Sequence, residues 1–78
     1  MNKTIITFKE EISGFQKLKD EFLNNLVNKK ELEFVLDLFD VYFDFNREKV
    51  TICYYVKDGK YPDVELSFDE FKKIVEES

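Results

Sequence analysis

The chain has 78 residues and a formal net charge of −5, from 17 acidic and 12 basic side chains. This length predicts a single domain over residues 1–78. Binding to nucleic acid phosphates or to an anionic membrane needs clustered Lys and Arg, which the acidic balance argues against. The lack of a long apolar run and the single cysteine, Cys53, favour a soluble protein of the reducing cytoplasm.

Two elements are predicted in the first third of the chain. Residues 3–8 are rich in Thr, Ile and Phe, which favour strands, so we expect a first strand there. Apolar residues then recur at three- and four-residue spacing over 14–28, which predicts an amphipathic helix. Ser13 and Gln16 have the spacing of a capping box that would begin this helix.

The segment 29–37 fits two periodicities. Leu32, Val35 and Leu36 have helical spacing, whereas Leu32, Phe34 and Leu36 alternate as in a strand. A strand continuing from here into the next apolar segment would be unusually long. We therefore favour a short helix over 29–37.

Residues 39–56 carry the clearest pattern, two runs of alternating apolar and polar residues around a polar turn at 46–49. An antiparallel hairpin would place its apolar side chains on one face, in the pairs Phe45–Val50, Phe43–Ile52, Val41–Tyr54 and Phe39–Val56. The opposite face would carry Asp40, Tyr42 and Asp44 opposite Tyr55, Cys53 and Thr51.

The C-terminal third predicts one more strand and a helix. Asp58 and Gly59 favour a type I′ turn that leads into a strand over 61–66. Ser67 and Glu70 form a second capping-box pattern, which begins a C-terminal helix. The order is strand, helix, short helix, three strands, helix. This order predicts an α+β fold with a mostly antiparallel four-stranded sheet and helices packed on one face.

No pattern in the chain is typical of catalysis or of metal binding. The sequence contains no His, the commonest general base and zinc ligand. Its glycines are isolated, so no phosphate-binding loop is present, and no segment has the spacing of an EF-hand. Paired carboxylates can act as acid and base, but so small a domain leaves little room for a substrate pocket. We expect a protein that is not an enzyme and needs no cofactor.

The predicted outer face of the hairpin is acidic and bears tyrosines. Tyr is common at the centre of protein interfaces, and carboxylates can pair with Arg and Lys of a partner. The simpler interpretation is a solvated face that keeps a small protein soluble. The candidate partner-binding residues are Asp37, Asp40, Tyr42, Asp44, Glu48, Tyr55, Asp63 and Glu65.

In size, acidity and α/β order, the chain resembles the small inhibitors of host nucleases that phages and mobile elements encode, such as anti-CRISPR and anti-restriction proteins. The acidic face itself could occupy the nucleic-acid groove of a basic partner, such as a nuclease, and act there as a DNA mimic. We expect the protein to be a monomer or a homodimer. The resemblance assigns no site residue. Two alternatives stay open: an immunity protein or antitoxin that neutralises a toxin, and a homo-oligomeric structural or regulatory domain.

Overall fold

The computed structural model describes residues 2–78, which form three helices and four strands. The helices are α1 (Lys3–Ile12), α2 (Gln16–Asn28) and α3 (Phe68–Glu77), and the strands are β1 (Glu33–Val35), β2 (Phe39–Asp44), β3 (Lys49–Tyr54) and β4 (Val64–Ser67). The strands form one antiparallel sheet in the order β1-β2-β3-β4. The predicted α+β class and the four-stranded antiparallel sheet are confirmed.

Apolar side chains on alternate residues of β2 form one wall of the core. Phe39, Val41 and Phe43 are buried, whereas the residues between them are half-buried or exposed. The other core side chains are Ile5, Phe8 and Ile12 from α1, Phe22 from α2, Val50 and Ile52 from β3, Leu66 from β4, and Phe71 and Val75 from α3. All three helices therefore pack on the same face of the sheet, as predicted.

Phenylalanine rings connect the helices to the sheet. Phe43 of β2 meets Phe71 of α3 at 5.6 Å between ring centroids, and Phe71 meets Phe22 of α2 at 5.4 Å. Phe8 of α1 packs edge-on against Phe39 at 5.5 Å. Such edge-to-face pairs add about 0.5–1.5 kcal/mol each beyond the burial of their area. The aromatic rings of the core therefore form one connected cluster.

The predicted strand over residues 3–8 is wrong, because this segment lies within α1. Ile5, Phe8 and Ile12 are spaced by three and four residues and form one buried stripe, while Ile6 is exposed. The side chain of Asn2 caps the helix by accepting the Ile5 N–H at 3.2 Å. Burial of this stripe outweighs the local strand preference of the β-branched residues.

The helix predicted over 14–28 is confirmed, but its predicted capping box does not form. The helix α2 begins at Gln16 after Phe15, which makes no side-chain capping hydrogen bond. Ser13 instead ends α1, where its hydroxyl donates to the Glu10 carbonyl at 2.9 Å. Ser13 therefore caps the C-terminus of α1 and not the N-terminus of α2.

The helix predicted over 29–37 is also wrong, because β1 lies within this segment. Lys29 has a left-handed backbone, with φ of 55°, and ends α2. The alternating pattern prevails because Phe34 turns inward, where its ring lies 4.9 Å from Phe22 and 5.6 Å from Phe43. Because β1 has only three residues and is separate from β2, no unusually long strand forms.

The central hairpin forms with its predicted faces but in a different register. Phe43 pairs with Val50, and Phe39 with Tyr54. The turn begins one residue earlier than predicted, because Asp44 accepts the Arg47 N–H at 3.0 Å. Each pairing therefore shifts by two residues. Since side chains alternate with a period of two, this shift leaves the residues within β2 and β3 on their predicted faces. Val56, which was predicted to be buried opposite Phe39, lies beyond β3 and is 48% exposed.

The connection between β3 and β4 is longer than the predicted type I′ turn. Gly59 does not have the positive φ that such a turn needs. The Asp58 side chain instead accepts the Lys60 N–H at 2.9 Å, and β4 begins only at Val64 rather than near residue 61. The following capping box of Ser67 and Glu70 is confirmed.

We predict that Phe43→Ala lowers the free energy of unfolding by about 3–5 kcal/mol, because truncating a buried Phe leaves a cavity. Chemical denaturation monitored by far-UV circular dichroism measures the change. Phe15→Ala is the matched control, since Phe15 is 59% exposed and should change stability by less than about 0.5 kcal/mol. An unshifted curve for Phe43→Ala would contradict the assignment of the buried face.

Glu70 makes stability depend on pH. Its carboxylate accepts the Ser67 N–H at 2.8 Å, and hydrogen bonds from the Ser67 backbone and side chain lower the pKa of Glu70. The stabilisation is therefore complete above the unfolded pKa of about 4.3 and is lost as the pH falls through the folded pKa. Glu70→Gln should be less stable than wild type at pH 7, and denaturation at decreasing pH should show the two converging. A constant difference would contradict this.

Candidate binding face

The sheet has a second face that points away from the helices, which we call the open face. Its side chains alternate with the buried ones along each strand, and the strand register places them next to one another. They are Glu33 and Val35 from β1, Asp40, Tyr42 and Asp44 from β2, Lys49, Thr51 and Cys53 from β3, and Glu65 and Ser67 from β4.

Tyr42 lies near the centre of the open face, between two carboxylates. Its Cα partner on β1 is Glu33, and its hydroxyl donates to Asp40 Oδ2 at 3.3 Å. Partial desolvation, followed by the negative charges of Asp40 and Glu33, raises the pKa of Tyr42 to about 12. The ring is 41% exposed, so this neutral phenol offers an aromatic surface within an acidic setting.

Arg47 neutralises part of the open face. From the hairpin turn, its guanidinium donates to both carboxylate oxygens of Glu65, at 3.2 and 3.3 Å, and lies 4.0 Å from Asp44. Among residues 2–78, Glu33 and Asp40 have no such cation within ion-pair distance. Within this part of the chain, two carboxylates that form no ion pair therefore lie beside Tyr42.

Cys53 is a weak candidate for a nucleophile. It pairs with Asp40 across the sheet and is half-buried. Desolvation, and then the charges of Asp63 and Asp40, raise the pKa of Cys53 to about 11. Because the thiolate is the reactive form, this environment keeps the sulfur unreactive at neutral pH.

The structure brings some of the predicted binding residues together and separates others. On or beside the open face lie Asp40, Tyr42, Asp44, Asp63 and Glu65. Asp37, Glu48 and Tyr55 lie outside the open face, each in a different part of the molecule.

Asp37 is in the turn between β1 and β2, beside Phe15 and Leu18 on the helical side of the molecule. Glu48 is at the tip of the hairpin, with a left-handed φ of 54°, and its carbonyl accepts the Phe68 N–H at 3.2 Å. Tyr55 follows β3 and belongs to a separate group of tyrosines.

Two residues that set the charge of the open face were not among the predicted binding residues. Glu33 was assigned to a helix, although the alternation of Leu32, Phe34 and Leu36 contained the signal for a strand. Arg47 was assigned to the turn, and nothing in its local sequence indicates that its side chain reaches Glu65 on β4. Both residues alter the charge of the face, since Glu33 adds a carboxylate and the single positive charge of Arg47 is shared between Asp44 and Glu65.

The chain matches no known family model, no curated protein and no solved structure. Within residues 2–78, no three Cys, Asp or Glu side chains are grouped so that they could hold a metal ion. None of the helices α1 to α3 has the length and apolar character needed to cross a membrane.

We predict that Glu33→Gln combined with Asp40→Asn lowers the pKa of Tyr42 from about 12 towards 10, because both negative charges disfavour the phenolate. Titration of the tyrosine ring carbons by NMR measures this change, with circular dichroism verifying the fold at each pH. Asp20→Asn, on α2, removes one carboxylate elsewhere and should leave the titration of Tyr42 unchanged. An unaltered Tyr42 pKa in the double variant would contradict the arrangement.

Proposed function

We propose that this protein is a non-enzymatic inhibitor whose open face docks on the basic, nucleic-acid-binding surface of a partner protein. Such a DNA mimic would be of the anti-CRISPR or anti-restriction type, and the reduced Cys53 suits a cytoplasmic location. The observation that supports the proposal is the exposed Tyr42, flanked by the carboxylates of Glu33 and Asp40, which form no ion pair with the residues described, 2–78.

The spacing of the carboxylates suits an extended basic surface better than a small ligand. Alternate residues of a strand lie about 7 Å apart, so Asp40 and Asp44 are separated by about 13 Å. Neighbouring strands add Glu33 and Glu65 to the array. A complementary surface needs Lys and Arg distributed over a similar area, which is typical of proteins that hold nucleic acid through its phosphates.

The Arg47 pair does not prevent binding, because exposed ion pairs contribute only about 0–1 kcal/mol. A basic partner can therefore take the place of Arg47 at Glu65, because breaking this ion pair costs the protein little stability. In the free protein, Asp44 accepts the Arg47 backbone N–H within the turn, and the strand pairing fixes the backbone positions of Asp44 and Glu65. The binding surface is therefore ordered before the partner arrives, which lowers the entropic cost of association.

Self-association through the open face is disfavoured. Stacking two copies would bring the carboxylates of Glu33 and Asp40 against those of another copy, and like charges in such positions repel. The same charges attract a basic partner over a longer range and raise its association rate.

The test uses immobilised protein to capture partners from a host extract, followed by identification of the bound proteins. We predict that the main captured protein binds nucleic acid, that added duplex DNA releases it, and that high salt weakens its capture. Glu33→Lys combined with Asp40→Lys should abolish capture, because it reverses the charge around Tyr42. These positions are chosen over Asp44, whose side chain also holds the turn.

The matched control is Asp20→Lys combined with Glu21→Lys, which makes the same change in net charge on α2. This variant should retain capture, and both variants should keep the wild-type far-UV spectrum. Capture that survives reversal at Glu33 and Asp40 would refute the open face as the docking surface. A captured enzyme that DNA does not displace would favour an immunity protein over a nucleic-acid mimic.

A further inference from the structure

Three of the four tyrosines gather at one end of the sheet, beside the loop between β3 and β4. The rings of Tyr54 and Tyr61 are stacked, with centroids 4.1 Å apart and planes 13° from parallel. Tyr55 lies 4.9 Å from Tyr54 and is 61% exposed. With Asp58 and Asp63, these rings line a groove of about 610 Å³. We call this the tyrosine groove.

The core holds the tyrosine groove in place. Tyr54 packs edge-on against the buried ring of Phe39 at 5.5 Å. On the other side, the fully buried Thr4 of α1 donates its hydroxyl to the Pro62 carbonyl at 2.7 Å. The loop that carries Tyr61 is therefore tied to both the sheet and a helix, and the stacked rings are ordered without a ligand.

The chemistry of the tyrosine groove suits a cation. The ammonium of Lys3 already lies 5.6 Å from the centre of the Tyr61 ring, so one aromatic face attracts a positive charge within the protein itself. The lining carries the carboxylates of Asp58 and Asp63 and the ammonium of Lys57, so its formal charge is −1 (two acids and one base). Partial desolvation, then neighbouring tyrosines and Asp58, raise the pKa of Tyr54, so its phenol remains neutral.

We infer that the tyrosine groove binds an arginine side chain of the basic partner, with the guanidinium against the Tyr55 ring and donating to the carboxylate of Asp63. The inference rests on the proposed function, because Asp63 and Cys53 connect this groove to the open face. Arginine fits better than lysine, since its planar guanidinium both stacks on aromatic rings and binds a carboxylate through two donors.

The experiment uses two synthetic peptides of equal length and charge, one in which Gly alternates with Arg and one in which Gly alternates with Lys. Their binding is followed by NMR of the labelled protein. The arginine peptide should bind more tightly and should shift the ring signals of Tyr55 and Tyr61. Tyr55→Ala should lower the affinity for the arginine peptide by about two- to fivefold, as expected for the loss of an exposed cation–π contact. The lysine peptide should be affected less.

A second variant separates this inference from the proposed function. Glu33→Gln combined with Asp40→Asn should weaken both peptides equally, because it removes charge from the open face without altering the tyrosine groove. If that variant weakens binding while Tyr55→Ala does not, the inference is wrong and the proposed function stands. If Tyr55→Ala affects both peptides equally, the choice of arginine is wrong. If neither variant changes binding, both proposals fail. Tyr55 is exposed, so its truncation should leave the far-UV spectrum unchanged.

Discussion

Burial of aromatic residues on one side of β2 is the constraint on which the rest of the structure depends. Phe39 and Phe43 must leave water, and alternation along the strand directs every second side chain the other way. The chain provides three helices, and all of them contribute to the core on the phenylalanine side. Among residues 2–78, no helix covers the other side. The open face is thus a direct consequence of how the core is built.

The chemistry of the open face follows from what an uncovered sheet can carry. Polar side chains are favourable there because they remain hydrated, and acidic ones also discourage association between sheets. Solubility alone does not require Tyr42 at the centre, with Glu33 and Asp40 on either side and Arg47 committed to Asp44 and Glu65. This uneven distribution of charge is the reason for favouring a binding surface over a merely solvated one.

The sequence predicted those parts of the fold whose signals are local. The two faces of the hairpin are as predicted within β2 and β3 despite a register error of two residues, because such a shift preserves the direction of the side chains in a strand. The segments 3–8 and 29–37 were misassigned because distant contacts decide them. Residues 3–8 are helical because a helix buries Ile5, Phe8 and Ile12 on one side. The segment 29–37 contains a strand because this conformation brings Phe34 against Phe22. The contact between Arg47 and Glu65 could not be found without the tertiary arrangement, whereas the strand that carries Glu33 already had a signal in the alternation around Phe34.

In the proposed complex, the two surfaces would contribute to different steps of binding. Charges around Tyr42 act over a distance comparable to the Debye length, so they mainly raise the rate of encounter and weaken with salt. Contacts of aromatic rings with a guanidinium act only at close range, so the tyrosine groove would mainly slow dissociation and select arginine over lysine. Both surfaces are fixed by the same core, since Phe39 supports Tyr54 while its neighbour Asp40 belongs to the open face. A partner that contacts both surfaces would therefore meet a single rigid surface and would pay little entropy to order it.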